Sequence, residues 1–164
     1  MRRPATTLTA TACALIAATA IGCGGSDSGI SGSQCKLIDC SYDELVCHFY
    51  EQPEQADKAY KLFYKRNLKE GGSEYAAILV IDITGLDELS GIEIADTEFA
   101  ERILLYRPGT GEQWPDFASG RLRLKKGGRA VGETIAGKAN FRFENGYLVT
   151  IKFDCSLEAP LEEG

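Results

Sequence analysis

The stretch "GKANFRFENGYLVTIKFDCSLE", Gly137–Glu158, decides the fold. Large apolar residues alternate with polar ones on both sides of "ENG", the period of a half-buried strand, and Asn145-Gly146 marks a hairpin between two such strands. Two registers are open. A two-residue turn of Asn145 and Gly146 opposes Phe143 to Leu148, which leaves Phe141 and Phe143 on the face away from Val149, Ile151 and Phe153 and splits the core. A three-residue loop of Glu144, Asn145 and Gly146, with Gly146 left-handed, opposes Phe143 to Tyr147 and Phe141 to Val149. Every large apolar residue of the hairpin then shares one face, and Cys155 falls on it too. The second register is therefore expected.

Similar segments recur toward the N-terminus. "GRLRLKK", Gly120–Lys126, turns Leu122 and Leu124 inward and Arg121, Arg123 and Lys125 outward. "EYAAILVIDITG", Glu74–Gly85, is the most apolar run and is expected to be the central strand. "LVCHFYE", Leu45–Glu51, places Leu45, Cys47 and Phe49 on one face and Val46, His48 and Tyr50 on the other. "AYKLFYKR", Ala59–Arg66, can be drawn on a helix, but Pro53 before it and its aromatic content favour a strand. "EFAERILLYRPG", Glu98–Gly109, reads as a strand after an acidic loop. No internal repeat or long helix is visible. The pattern predicts an all-β fold, an antiparallel β-sandwich or partly open barrel of about seven to eight short strands.

The chain has 164 residues, room for one modest domain, and 26% charged residues, too many for a membrane bundle. Its net charge of −6 becomes −8 once Arg2 and Arg3 are removed, and a surface so acidic repels phosphate backbones, which excludes nucleic acid as an expected partner. Those two arginines open an export leader: "MRRP" is positive, and "ATACALIAATAIG", Ala10–Gly22, is apolar but too short and Ala-rich for a permanent membrane helix.

"AIGC", Ala20–Cys23, resembles the lipobox of bacterial lipoproteins, in which cleavage precedes a cysteine that has received a diacylglyceryl group. Gly22 and Cys23 match that pattern, whereas Ala20 stands where leucine is usual. Ordinary cleavage after Ala20 is the alternative. Cysteine parity separates the two: with Cys13 lost in the leader and Cys23 lipidated, Cys35, Cys40, Cys47 and Cys155 form an even set. Inward positions on an early and a late strand favour Cys47 with Cys155, leaving Cys35 with Cys40. The expected organisation is a signal peptide over 1–22, a lipidated cysteine and flexible tether over 23–34, and one β-rich domain over 35–164. "SGRLRL", "GKANFRF" and "NGYLVTIKFDCSLE" together are similar to the C-terminal hairpins of small, uncharacterised lipoproteins of Gram-negative bacteria. That resemblance implies an exported β domain and no particular activity.

Chemical motifs are sparse. "GETIAGKA", Gly132–Ala139, fits GxxxxGK, but Ala139 replaces the magnesium-binding hydroxyl and a strand follows where a helix should open. His48 is the only histidine, and on a strand it points away from its neighbour Cys47. The acidic residues Asp82, Asp87, Glu88, Glu93, Asp96 and Glu98 lack the spacing of a calcium loop. No nucleophile elbow is present, so neither a catalytic set, a metal nor a cofactor is expected. "EQWPDF", Glu112–Phe117, holds the only tryptophan, and a loop of Trp114, Asp116 and Gln113 either binds a sugar or partner or folds back to cap the core. "RLRLKKGGR" is a basic stripe on an acidic chain, suited to an acidic partner or lipid headgroups, or simply a solvated strand face. The expectation is a non-enzymatic envelope lipoprotein, at the outer membrane by Gly24, that binds or scaffolds an envelope protein or glycan. A glycan- or peptide-binding module built on Trp114 is the alternative, a secreted hydrolase a more distant one.

Overall fold

A computed structural model of the chain describes residues 28–52, 57–109 and 111–160; the leader, Cys13, Cys23, the lipobox and Pro53 lie outside them. Among the described residues the strands are β1 (Gly29–Ser31), β2 (Glu44–Gln52), β3 (Asp57–Asn67), β4 (Ser73–Asp82), β5 (Ile92–Ala95), β6 (Ile103–Tyr106), β7 (Phe117–Lys126), β8 (Thr134–Phe143) and β9 (Leu148–Glu158). They form one sheet in the order β5-β7-β8-β9-β2-β3-β4-β6, with β1 beside β9.

The β8–β9 hairpin has the register that places its apolar residues together. Phe141 lies opposite Val149, the Phe143 N–H donates to the Tyr147 carbonyl at 2.9 Å, and Gly146 has φ +83. Phe141, Phe143, Val149, Ile151 and Phe153 are buried in consequence. The fold is mostly β as expected, and of the two expected architectures it is nearer the partly open barrel than the antiparallel sandwich, with a sheet that is mixed rather than wholly antiparallel. β9 serves both halves of one continuous sheet, meeting β2 in parallel over only two residue pairs, Cys47 with Leu157 and His48 with Glu158. Bulges at Tyr64/Lys65 and in β7 bend the strands, and the mixed sheet curls into a half-barrel around one core.

Three further readings change. Asp96–Arg102 is a helix, α1, so only Ile103–Tyr106 of "EFAERILLYRPG" is strand. Its residues are mostly good helix formers, the Glu98 carboxylate pairs with Arg102 one turn on at 2.8 Å, and Phe99 fills the core between Phe117 and Phe141 at 5.5 and 5.2 Å. Tertiary burial of that one ring outweighs the alternation. "EYAAILVIDITG" is penultimate in the sheet rather than central; it is apolar on both faces because Phe63 and Tyr106 flank Ile78 on the outer side. Part of the segment expected as tether is regular structure. Gly29–Ser31 pairs with β9 and Ser33–Lys36 is a 3-10 turn; between them Gly32 sits at φ +140 against the Leu148 carbonyl, where a Cβ would overlap.

Disulfides join Cys35 to Cys40 and Cys47 to Cys155, as expected. The second spans 108 residues and fastens β2 to β9 where the two halves share the least pairing. Disulfides of this kind belong to an oxidising, non-cytoplasmic compartment. Two tyrosines of β3 also cross the core: Tyr60 Oη donates to the Gly128 carbonyl at 2.6 Å and Tyr64 Oη to the Lys152 carbonyl at 3.1 Å. Among the described residues no helix is long and apolar enough to cross a membrane.

Candidate functional site

Cationic side chains recur among those that point away from the core on β7 and β8, and β9 adds Lys152. Leu122 and Leu124 are fully buried, so strand alternation turns Arg121 and Arg123 out. On β8 the buried Ala139 and Phe141 put Lys138 and Arg142 outside, and on β9 the buried Ile151 and Phe153 do the same for Lys152. Register then decides who meets whom. Arg123 lies opposite Lys138, and Lys138 opposite Lys152, so three cations form one row across three strands. Arg121 and Arg142 flank the row, with Lys125 and Lys126 at its end.

Like charges directly opposite each other destabilise a sheet. Neutralisation is slight: Glu93 on β5 approaches Arg121 at 3.4 Å, whereas Arg123, Lys138, Arg142 and Lys152 have no ion-pair partner among the described residues. Asp96 and Asp154 are the other nearby carboxylates. An open pocket of about 300 Å³ lies in this face, lined by Arg121, Arg142, Asn140, Ser119, Asp96 and Leu148. Asn140 accepts from Thr150 at 2.9 Å, which fixes the amide between the two arginines. Such a charge arrangement attracts anions.

The sequence showed only the β7 part of this face. Lys138 and Lys152 were within reach, because the hairpin register that opposes Phe141 to Val149 also opposes those two lysines. The β7–β8 register carries no comparable turn signal, so the full row was not.

The other singled-out residues lie apart from it. Trp114 is turned inward: it is 8% exposed, stacks on Phe143 at 5.9 Å and donates from Nε1 to the Ala76 carbonyl at 3.3 Å. That is the core-capping arrangement and leaves no ring face for a sugar. The Gln113 amide bonds back to the Gly109 and Gly111 carbonyls, and Asp116 is exposed beside it. His48 is 2% exposed, packs against Phe63 at 5.5 Å and donates from Nδ1 to the Glu158 carbonyl at 3.3 Å. Gly132 forms a turn and Lys138 an exposed strand position, so "GETIAGKA" wraps no phosphate as a helix-capping loop would. Of the acidic stretch, Asp82 accepts from the Thr84 N–H and Glu98 pairs with Arg102. Elsewhere, hydrogen bonds from the Ser41 N–H and hydroxyl hold Asp39 below the usual carboxylate range, and the Arg66 guanidinium does the same to Glu74. No protein-family model, curated protein or solved structure matches this chain.

Proposed function

We propose that the chain is a lipid-anchored envelope lipoprotein whose β domain binds and does not catalyse. The observation that carries this reading is the pairing of Cys35 with Cys40 and Cys47 with Cys155. Once Cys13 leaves with the leader, Cys23 is the one cysteine without a partner in that set, and it stands in the lipobox-like "AIGC". Two or three acyl chains on Cys23 retain a domain on a membrane without help from its surface, since each buried CH₂ contributes roughly 0.8 kcal/mol. The binding role rests on the unpaired cationic row of β7, β8 and β9.

Fractionation of a lipoprotein-processing host in high salt tests the anchor. The parent chain stays with the membranes and Cys23→Ser is released. Equal solubility of the two, with a mature chain that starts at Ile21, would make this a freely secreted domain.

A further inference from the structure

We propose that the outer face of β7, β8 and β9 docks on a bilayer that carries anionic phospholipid headgroups. Arg121, Arg123, Lys138, Arg142 and Lys152 meet the phosphates, and the pocket between Arg121 and Arg142 holds one of them. The inference deepens the reading of Cys23 as the anchor and rests on it for the choice of occupant.

Two observations beyond the cation row point to a membrane. The first is where the chain enters the domain. β1 runs beside β9 with Gly29 opposite Lys152, and the Ser28 hydroxyl accepts from the Asp154 N–H at 2.9 Å. Cys23 is therefore only six residues from a backbone position level with the cation row, a span of at most about 22 Å when fully extended. An acyl anchor at Cys23 holds this edge of the sheet near the headgroups. The second is the contrast in charge. The chain as a whole is −6, yet this face carries Arg121, Arg123, Lys138, Arg142 and Lys152 against Glu93, Asp96 and Asp154. An anionic surface attracts this face and repels the remainder, so one orientation is selected. Arginine suits the pocket because its planar fork meets phosphate oxygens in pairs. Salt screens the attraction beyond about 8 to 10 Å at ordinary ionic strength, so it acts only once the anchor has brought the face close.

The test uses the exported chain carrying Cys23→Ser, taken as the form cleaved after Ala20 and checked by mass spectrometry to start at Ile21 so that neither leader nor lipid is present, with vesicles of phosphatidylcholine alone or mixed with phosphatidylglycerol. Sedimentation with the mixed vesicles in low salt, loss in high salt and no sedimentation with phosphatidylcholine are expected. The triple change Arg123→Glu, Lys138→Glu, Lys152→Glu should lower the bound fraction at least tenfold, while Lys65→Glu with Lys69→Glu, on β3 and its turn to β4 in the other half of the sheet, leaves it unchanged. Undiminished binding by the triple variant would overturn the proposal. So would binding to polyglutamate without binding to vesicles, which would make the occupant an acidic protein, or displacement from vesicles by low inorganic phosphate, which would make it a free anion. Because this chain has no acyl group, its vesicle binding stands or falls independently of the fractionation result for Cys23.

Discussion

The two halves of the sheet share one core and differ on the outside. Across β2, β3, β4 and β6 the outward row is Val46, Phe63, Ile78 and Tyr106, each opposite the next. Across β7, β8 and β9 it is Arg123, Lys138 and Lys152. The first row stabilises, because apolar and aromatic side chains in cross-strand contact remove area from water, and Val46 and Ile78 are each only 4% exposed. The second does the opposite. Stability accounts for one row and not for the other, which is why the second is the place to look for a ligand.

The halves are held together by few links, and cutting the strongest should have the largest effect. Cys47→Ala with Cys155→Ala removes a crosslink spanning 108 residues at a seam of two backbone pairs. The chain-entropy model gives about 5 kcal/mol for that loop and about 2 kcal/mol for the short Cys35–Cys40 loop. Denaturant unfolding of the two double variants should separate them in that order. Equal losses would mean that the seam is held by packing alone.

Trp114 is the second link, since its ring lies on Phe143 of β8 while its Nε1 donates to Ala76 of β4. Trp114→Ala should cost about 3 to 5 kcal/mol, the range for emptying an aromatic site in a core. A melting curve within a degree of the parent would return the ring to the surface and reopen the sugar-binding reading.

How much of this was readable beforehand follows from which signals are local. The hairpin was legible to the residue because Gly146 and the alternation of Phe141, Phe143, Val149 and Ile151 admit one register that keeps the core whole. The Cys47–Cys155 pair followed from inward positions on two strands. α1 was not legible: seven residues supply two turns, and the same letters alternate well enough for a strand. Nor was the inward turn of Trp114 decidable, since it depends on a carbonyl 38 residues away. The cation row failed for a related reason. Three lysines and arginines from three strands become one feature only when both registers are known.

Tyr64 is a third link between the halves and is sensitive to pH. Burial pushes its phenol well above the usual value and that of Tyr60 up to about 12. A raised folded-state value means that the stability is fully present below the ordinary tyrosine value, roughly pH 10, and is lost as pH rises toward the folded one. The melting temperature should therefore fall between pH 10 and 12. Tyr64→Phe should flatten that fall and cost about 1 to 3 kcal/mol at neutral pH, because the Lys152 carbonyl loses its donor. An unchanged alkaline profile in Tyr64→Phe would show that this phenol does not couple the halves.

The smallest expected effect has the opposite sign and bears most directly on the difference between the rows. Lys138 is the middle of the cation row, with a like charge opposite it on either side. Lys138→Glu converts both repulsive pairs into attractive ones, and exposed cross-strand pairs contribute roughly 0.2 to 1 kcal/mol each. The variant should therefore be more stable than the parent by about 0.5 to 1 kcal/mol in low salt, with the gain shrinking as salt screens both arrangements. Lys138→Thr, which removes repulsion without adding attraction and suits a strand, should fall between them. A gain in stability together with a loss of vesicle binding is what a ligand site makes when its charges work against the sheet that carries them. If Lys138→Glu instead melts earlier than the parent in low salt, the lysine is held by favourable contacts, and the row requires no ligand to explain it.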